Sequence, residues 1–156
     1  MLFRSVDKLI ANNIRVGKIQ ISSALKVDFS TDELAKFEAI SQYDEPTYLH
    51  QVIARKTDGS FEKFRDLKPA LEAFEMGKYA EWRVHFHVPL FLEKYNLLSS
   101  TQSEIIKTLN IQKAKPFTNH LEIETYTWGV LPTEFQVPLN KSIVREIEWV
   151  YSINNF

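Results

Sequence analysis

Helix-period and strand-period segments alternate along this chain of 156 residues, and that alternation predicts an α/β domain built on a parallel sheet. Three stretches carry the strand signal. Arg83–Val88 and His120–Glu124 alternate strictly between polar and aliphatic residues, and Ile14–Leu25 does so with weaker chemistry. Three main strands do not close a barrel, since an eight-stranded one takes about 250 residues. No internal repeat, low-complexity tract or long linker divides the chain, which reads as a single domain and as one part of something larger.

The elements follow from local signals. Phe3–Ala11 has Phe3, Val6, Leu9 and Ile10 on one side of a short helix that stops at Asn12-Asn13. In Ile14–Leu25, Lys18, Gln20 and Ser22 alternate with Ile19 and Ile21 as in a strand. Ser30 with Glu33 three residues on is a capping box, opening a helix to about Ser41 that buries Leu34, Phe37 and Ile40. Around 47–66, two alternating segments flank Asp58-Gly59, a strong hairpin signal that predicts an antiparallel excursion. Asp66 caps a helix with Pro69 in its first turn, and Gly77 ends it. The Arg83 strand comes next, with Pro89 at its end. Thr101 and Glu104 form a second capping box, Pro116 breaks the link to the His120 strand, and Asn140 caps a last helix, Ile143–Tyr151, which packs Ile143, Val144, Ile147 and Val150.

Composition removes whole classes of function. The 19 basic and 20 acidic residues nearly cancel, so no basic excess argues for a nucleic-acid partner. The absence of cysteine excludes disulfides, thiolate metal sites and thiol chemistry. No apolar run is long enough to span a membrane. The first residues, with charges at Arg4, Asp7 and Lys8, do not read as a signal peptide. A cytoplasmic protein is expected.

The chemistry concentrates on two strands. Arg83, His85 and His87 share one face, opposite Val84, Phe86 and Val88; His120, Glu122 and Glu124 share one face, opposite Leu121 and Ile123. Histidine and glutamate in register, backed by aliphatic residues, form the pattern of a polar, ligand-lined cavity. Each residue also has a structural reading. The histidines could simply hydrogen-bond within a polar sheet interior, and Glu124 could pair with Arg83 across neighbouring strands. His50 reads as a sheet histidine, and the Lys/Glu pairs of the helices read as solvated faces.

The stretches RVHFHVPLF (Arg83–Phe91) and HLEIETYTWGVLP (His120–Pro132) resemble the EboE family, described as metabolite traffic proteins. GKIQISSAL (Gly17–Leu25), YLHQV (Tyr48–Val52) and STQ (Ser100–Gln102) support the likeness. That family belongs to the xylose-isomerase-like TIM barrels. The likeness implies that residues 1–156 are the C-terminal portion of such a barrel: about three βα units plus a β-hairpin insertion.

What the resemblance implies for the site can be placed on single residues. His87 and Glu124, the latter followed by Thr125 and Tyr126, match positions that hold a divalent metal (Mn, Co, Zn or Mg), with Glu124 doubling as catalytic base. Read from the residues themselves, His85, Arg83, Glu122 and Gln20 are expected to contact a small metabolite, and Tyr126 and Trp128 either form a sugar-stacking wall at the rim or belong to the core. The implied activity is isomerisation or epimerisation of a polyhydroxylated or carbonyl compound; the alternatives are a non-catalytic metabolite carrier or an inactive fragment. Two protein ligands are few for a hard metal, so self-association or a complementing N-terminal half-barrel is expected to complete the site.

Overall fold

The computed structural model describes residues 2–124 and 138–154. The chain is a mixed α/β structure. Its helices are α1 (Leu2–Ala11), α2 (Glu33–Ser41), α3 (Leu67–Glu72), α4 (Gln102–Ala114) and α5 (Leu139–Asn154). The strands are β1 (Ile19–Ile21), β2 (Ser23–Asp28), β3 (Val52–Lys56), β4 (Phe61–Phe64), β5 (Tyr79–Val88), β6 (Lys94–Tyr95), β7 (Leu98–Ser100) and β8 (Leu121–Ile123). Among the described residues no helix is long and apolar enough to cross a membrane.

Two sheets result. One has six strands in the order β4-β3-β5-β2-β7-β6, and every pairing in it is antiparallel. The other is the parallel pair β1-β8. The main sheet therefore corrects the parallel arrangement that alternating helices and strands predict. Helices α2 and α3 both pack on one face of the sheet, through Phe37, Ile40, Leu67 and Ala70, and neither links two adjacent parallel strands. The hairpin around Asp58-Gly59 forms as expected, with Gly59 at φ 84°, but it is no excursion: β3 pairs with β5 along its whole length and joins the main sheet. The single strand read over Ile14–Leu25 is split at Ser22, its halves going to different sheets.

The helix starts show why local signals mislead. Asp32, not Ser30, precedes α2 and caps it with no side-chain bond; the Glu33 carboxylate instead accepts the Gly77 N–H at 2.8 Å. The Thr101 hydroxyl accepts the Ala24 N–H at 2.9 Å, tying the start of α4 to β2 and not to its own first turn. Helix α5 starts at Leu139, so Asn140 lies inside it. Asp66 does cap α3, accepting the Leu67 N–H and also the His50 N–H, each at 2.8 Å.

The larger core lies between the main sheet and α2–α3. Trp82, fully buried, meets the rings of Phe29, Tyr79 and Phe74 edge-on at 5.3, 5.3 and 5.9 Å. A smaller core joins Ile21 to Leu90, to Ile105 and Leu109 of α4 and to Val150 of α5, with Leu121 and Ile123 packed against it. Leu34, Val144 and Ile147, expected inside, are exposed. Truncating Trp82 to alanine is expected to cost about 3–5 kcal/mol of unfolding free energy in a urea titration. A loss below about 1 kcal/mol would contradict this placement of the core.

Candidate functional site

Strand β5 is central in the main sheet, so its period-2 alternation divides two environments. Trp82, Val84, Phe86 and Val88 point into the larger core; Arg83, His85 and His87 point the other way. The register against β2 shifts beside the histidines: Ala24 lies opposite His87, but Leu25 lies opposite Val84, so His85 and Phe86 are extra residues on β5. Such a bulge bends the strand and re-aims its side chains. Here it accompanies a close approach of the imidazoles, with Nε2 of His85 and Nε2 of His87 at 2.8 Å and ring centroids at 4.8 Å.

Glu124 arrives from the other sheet. It follows β8, and its N–H continues the parallel ladder by donating to the Ile21 carbonyl at 3.1 Å. Its Oε2 lies 3.8 Å from Nδ1 of His87. The three side chains therefore form a line of carboxylate, buried imidazole and exposed imidazole. His87 is 4% exposed. Burial, reinforced by the neighbouring His85 and His50 and opposed by Glu124, holds its pKa below the ordinary histidine value, so the neutral ring is favoured.

The tautomer decides what the line can do. Where His87 donates from Nε2 to His85, its Nδ1 lone pair faces the Glu124 carboxylate, and a cation between them relieves the repulsion. Where His85 is the donor, Nδ1–H faces Glu124 instead. A separation of 3.8 Å exceeds a hydrogen bond. Two atoms bound to one divalent ion at about 2.1 Å can adopt such a spacing. Nδ1 of His87 and Oε2 of Glu124 therefore fit a metal as two of its ligands, although among the described residues no cluster of three or more metal-binding side chains forms.

The other expected residues are placed differently. Glu122 and Gln20 are register partners across the parallel pair, and the Glu122 carboxylate is ion-paired with Lys18. Arg83 does not pair with Glu124; its Nε donates to Glu81 at 2.8 Å. Arg83 is exposed and Glu81 half-buried. His50, read as a sheet histidine, lies in no strand: it precedes β3 and is buried, stacked on Phe86 at 4.7 Å. Tyr126 and Trp128 lie outside the described residues. A groove of about 670 Å³ between the β1-β8 pair and α5 is lined mostly by aliphatic side chains, Ile21, Leu121, Ile143 and Val150 among them, with Asn119 and Tyr151; it offers none of the histidine and carboxylate chemistry.

One residue of consequence reads from the sequence as a solvated helix charge. Glu146 of α5 is buried, and its Oε1 accepts the Leu90 N–H at 3.0 Å, while the Leu90 carbonyl accepts from Gln102 Nε2 at 2.6 Å. The hydroxyl of Tyr95 donates to the Pro89 carbonyl at 2.9 Å. The end of β5, just beyond His87, is thus gripped from α4, α5 and β6. Its signal was visible only as helical spacing: Glu146 stands one turn after Ser142 and four residues before Val150, both of them buried.

No family model, curated protein or solved structure matches this chain.

Burial pushes the Glu146 carboxyl up to about 7, partly offset by the Leu90 hydrogen bond. A carboxyl raised on folding contributes stability below its unfolded pKa and loses it as pH rises through the folded one. Relative to wild type, Glu146→Gln should therefore become more stable as pH rises from about 4.5 to 8, by on the order of 2 kcal/mol at pH 8. Denaturant melts across that range check this; a difference that does not vary with pH would contradict it.

Proposed function

We propose that this chain is a cytoplasmic metabolite-handling protein of the EboE type, the C-terminal portion of a xylose-isomerase-like barrel, acting on a small polyhydroxylated or carbonyl compound. The observation that carries this reading is the line from Glu124, at the end of the parallel strand β8, through His87 to His85 on β5. The arrangement around β1-β8 supports it. The two strands run parallel, α4 leads into β8 and α5 follows it, and the aliphatic face of the pair packs on those helices. Gln20, Glu122 and Glu124 take the alternate positions, with Glu124 beyond the C-terminal end of β8, the end at which barrel enzymes hold their chemistry.

In this reading Glu124 removes a proton from the carbon beside a carbonyl. Glu124 then returns that proton to the neighbouring carbon, while the neutral His87 ring, aligned by His85, presents its other nitrogen to Glu124. A divalent ion bound by His87 and Glu124 would supply polarisation of the carbonyl or orientation of a diol. Gln20 and Glu122, lying side by side, would hydrogen-bond the hydroxyls of the polyol. A second reading, a carrier that binds the metabolite without converting it, is favoured by one observation: Lys18 already neutralises Glu122 and Glu81 already holds Arg83.

Assembly belongs to the same proposal. Leu139, Val144, Ile147 and Tyr151 leave α5 with an exposed apolar side, suited to a second copy or to a complementing half-barrel. Elemental analysis of the purified protein with light scattering on the same sample tests both points. A divalent metal near one per chain in a dimer or larger assembly, lost in His87→Ala, is the expected result. A metal-free assembly would favour the carrier, and a well-folded monomer would contradict the assembly.

A further inference from the structure

The main sheet carries a line of facing residues that crosses all six strands. Lys63 of β4 faces Ile53 of β3, Ile53 faces Arg83 of β5, and Arg83 faces Lys26 of β2; Lys26 faces Ser99 of β7, which faces Lys94 of β6. Neighbouring strands lie about 4.8 Å apart, so like charges directly opposite one another destabilise the pairing. Arg83 and Lys26 are such a pair. Among the described residues Lys26, Lys63 and Lys94 make no ion pair, whereas Lys18, Lys56, Lys78 and Lys107 each have an acidic partner. Arg83 spends its Nε on Glu81 and lies within electrostatic reach of Glu104, while the two Nη groups of its guanidinium make no hydrogen bond among the described residues.

The surroundings give this cationic pair a direction. On one side the next row holds Asp28 facing Glu81, which repels an anion. On the other side, two residues along β5 and about 7 Å away on the same face, stands His85.

We propose that Arg83 and Lys26 bind the phosphate group of a phosphorylated substrate whose polyol or carbonyl end reaches His85, His87 and Glu124, a proposal that rests on the reading of that site given above. A phosphate dianion matches two adjacent cations, one presenting a planar fork and the other a point charge. Bound between them, it converts their mutual repulsion into attraction. Lys63 and Lys94, at the ends of the row, raise the local potential and draw anions toward the centre. The acidic row beside the pair, and Ile53 and Ser99 interrupting the line, fit a single phosphate better than the continuous track a polyanion needs.

Phosphorus NMR titration of inorganic phosphate, with a thermal melt of each sample, tests the proposal on wild type, Lys26→Gln, Lys68→Gln and His87→Ala. Wild type is expected to bind saturably and to melt higher with phosphate. Lys26→Gln should lose about tenfold in affinity, while phosphate-free it melts no lower than wild type because a like-charge contact is gone. Lys68→Gln, on the exposed side of α3, should bind as wild type does. His87→Ala should also bind phosphate normally, so a failed metal or isomerase reading leaves this result standing. Equal binding in wild type and Lys26→Gln, or none in wild type, overturns the proposal whatever the metal content. Tighter binding of a single-stranded oligonucleotide than of phosphate, weakened by Lys63→Gln and Lys94→Gln, overturns it in favour of a polyanion surface.

Discussion

The burial of one face of β5 is the constraint on which the rest depends. Trp82, Val84 and Phe86 are completely withdrawn from solvent, and their packing in the core they share with Ile40 of α2 and with Leu67 and Ala70 of α3 fixes which way the strand faces. A slip of one residue would drive Arg83, His85 and His87 into that core and bring the apolar side chains out. Desolvating a guanidinium and two imidazoles without partners costs far more than any local gain. The orientation of the candidate site is thus set by hydrophobic packing on the reverse side of the same strand, with no need for polar contacts to specify it.

Two further attachments bring the second half of the site into place. The Leu90 peptide is held through both its N–H and its carbonyl, by Glu146 and Gln102, so α4 and α5 are joined to the end of β5. The same helices cover the aliphatic face of the β1-β8 pair. Glu124, at the end of β8, is therefore positioned against His87 through a path of packed helices. Burying the Glu146 carboxyl is the cost of that joint, expressed as a raised pKa.

Much of this was legible as strand period. Polar–apolar alternation identified the faces of β5 and of β8, because a half-buried strand leaves that record whatever sheet it joins. The Asp58-Gly59 hairpin and the Asp66 cap were legible too, since both depend on residues adjacent in sequence. Strand direction was not. Antiparallel and parallel pairing use the same alternation, and what distinguishes them here is that α2 and α3 return over one face of the sheet. The Ser30–Glu33 and Thr101–Glu104 boxes failed for a related reason: Glu33 and Thr101 found partners far away in sequence, at Gly77 and Ala24. The meeting of His87 with Glu124 was anticipated only by likeness to a family, and the roles of Glu146 and of the cationic row depend on tertiary neighbours that no local pattern records.

The candidate site depends on the imidazole pair more than on any other contact. The most direct measurement is a nitrogen-15 NMR experiment on the histidine side chains of the metal-free protein at neutral pH, seeking a coupling across the hydrogen bond between Nε2 of His85 and Nε2 of His87. A resolved coupling, with His87 neutral and Glu124→Gln altering its Nδ1 shift, is the predicted result. Two rings that each average freely between tautomers, insensitive to Glu124→Gln, would contradict the central claim that β5 and β8 build one site.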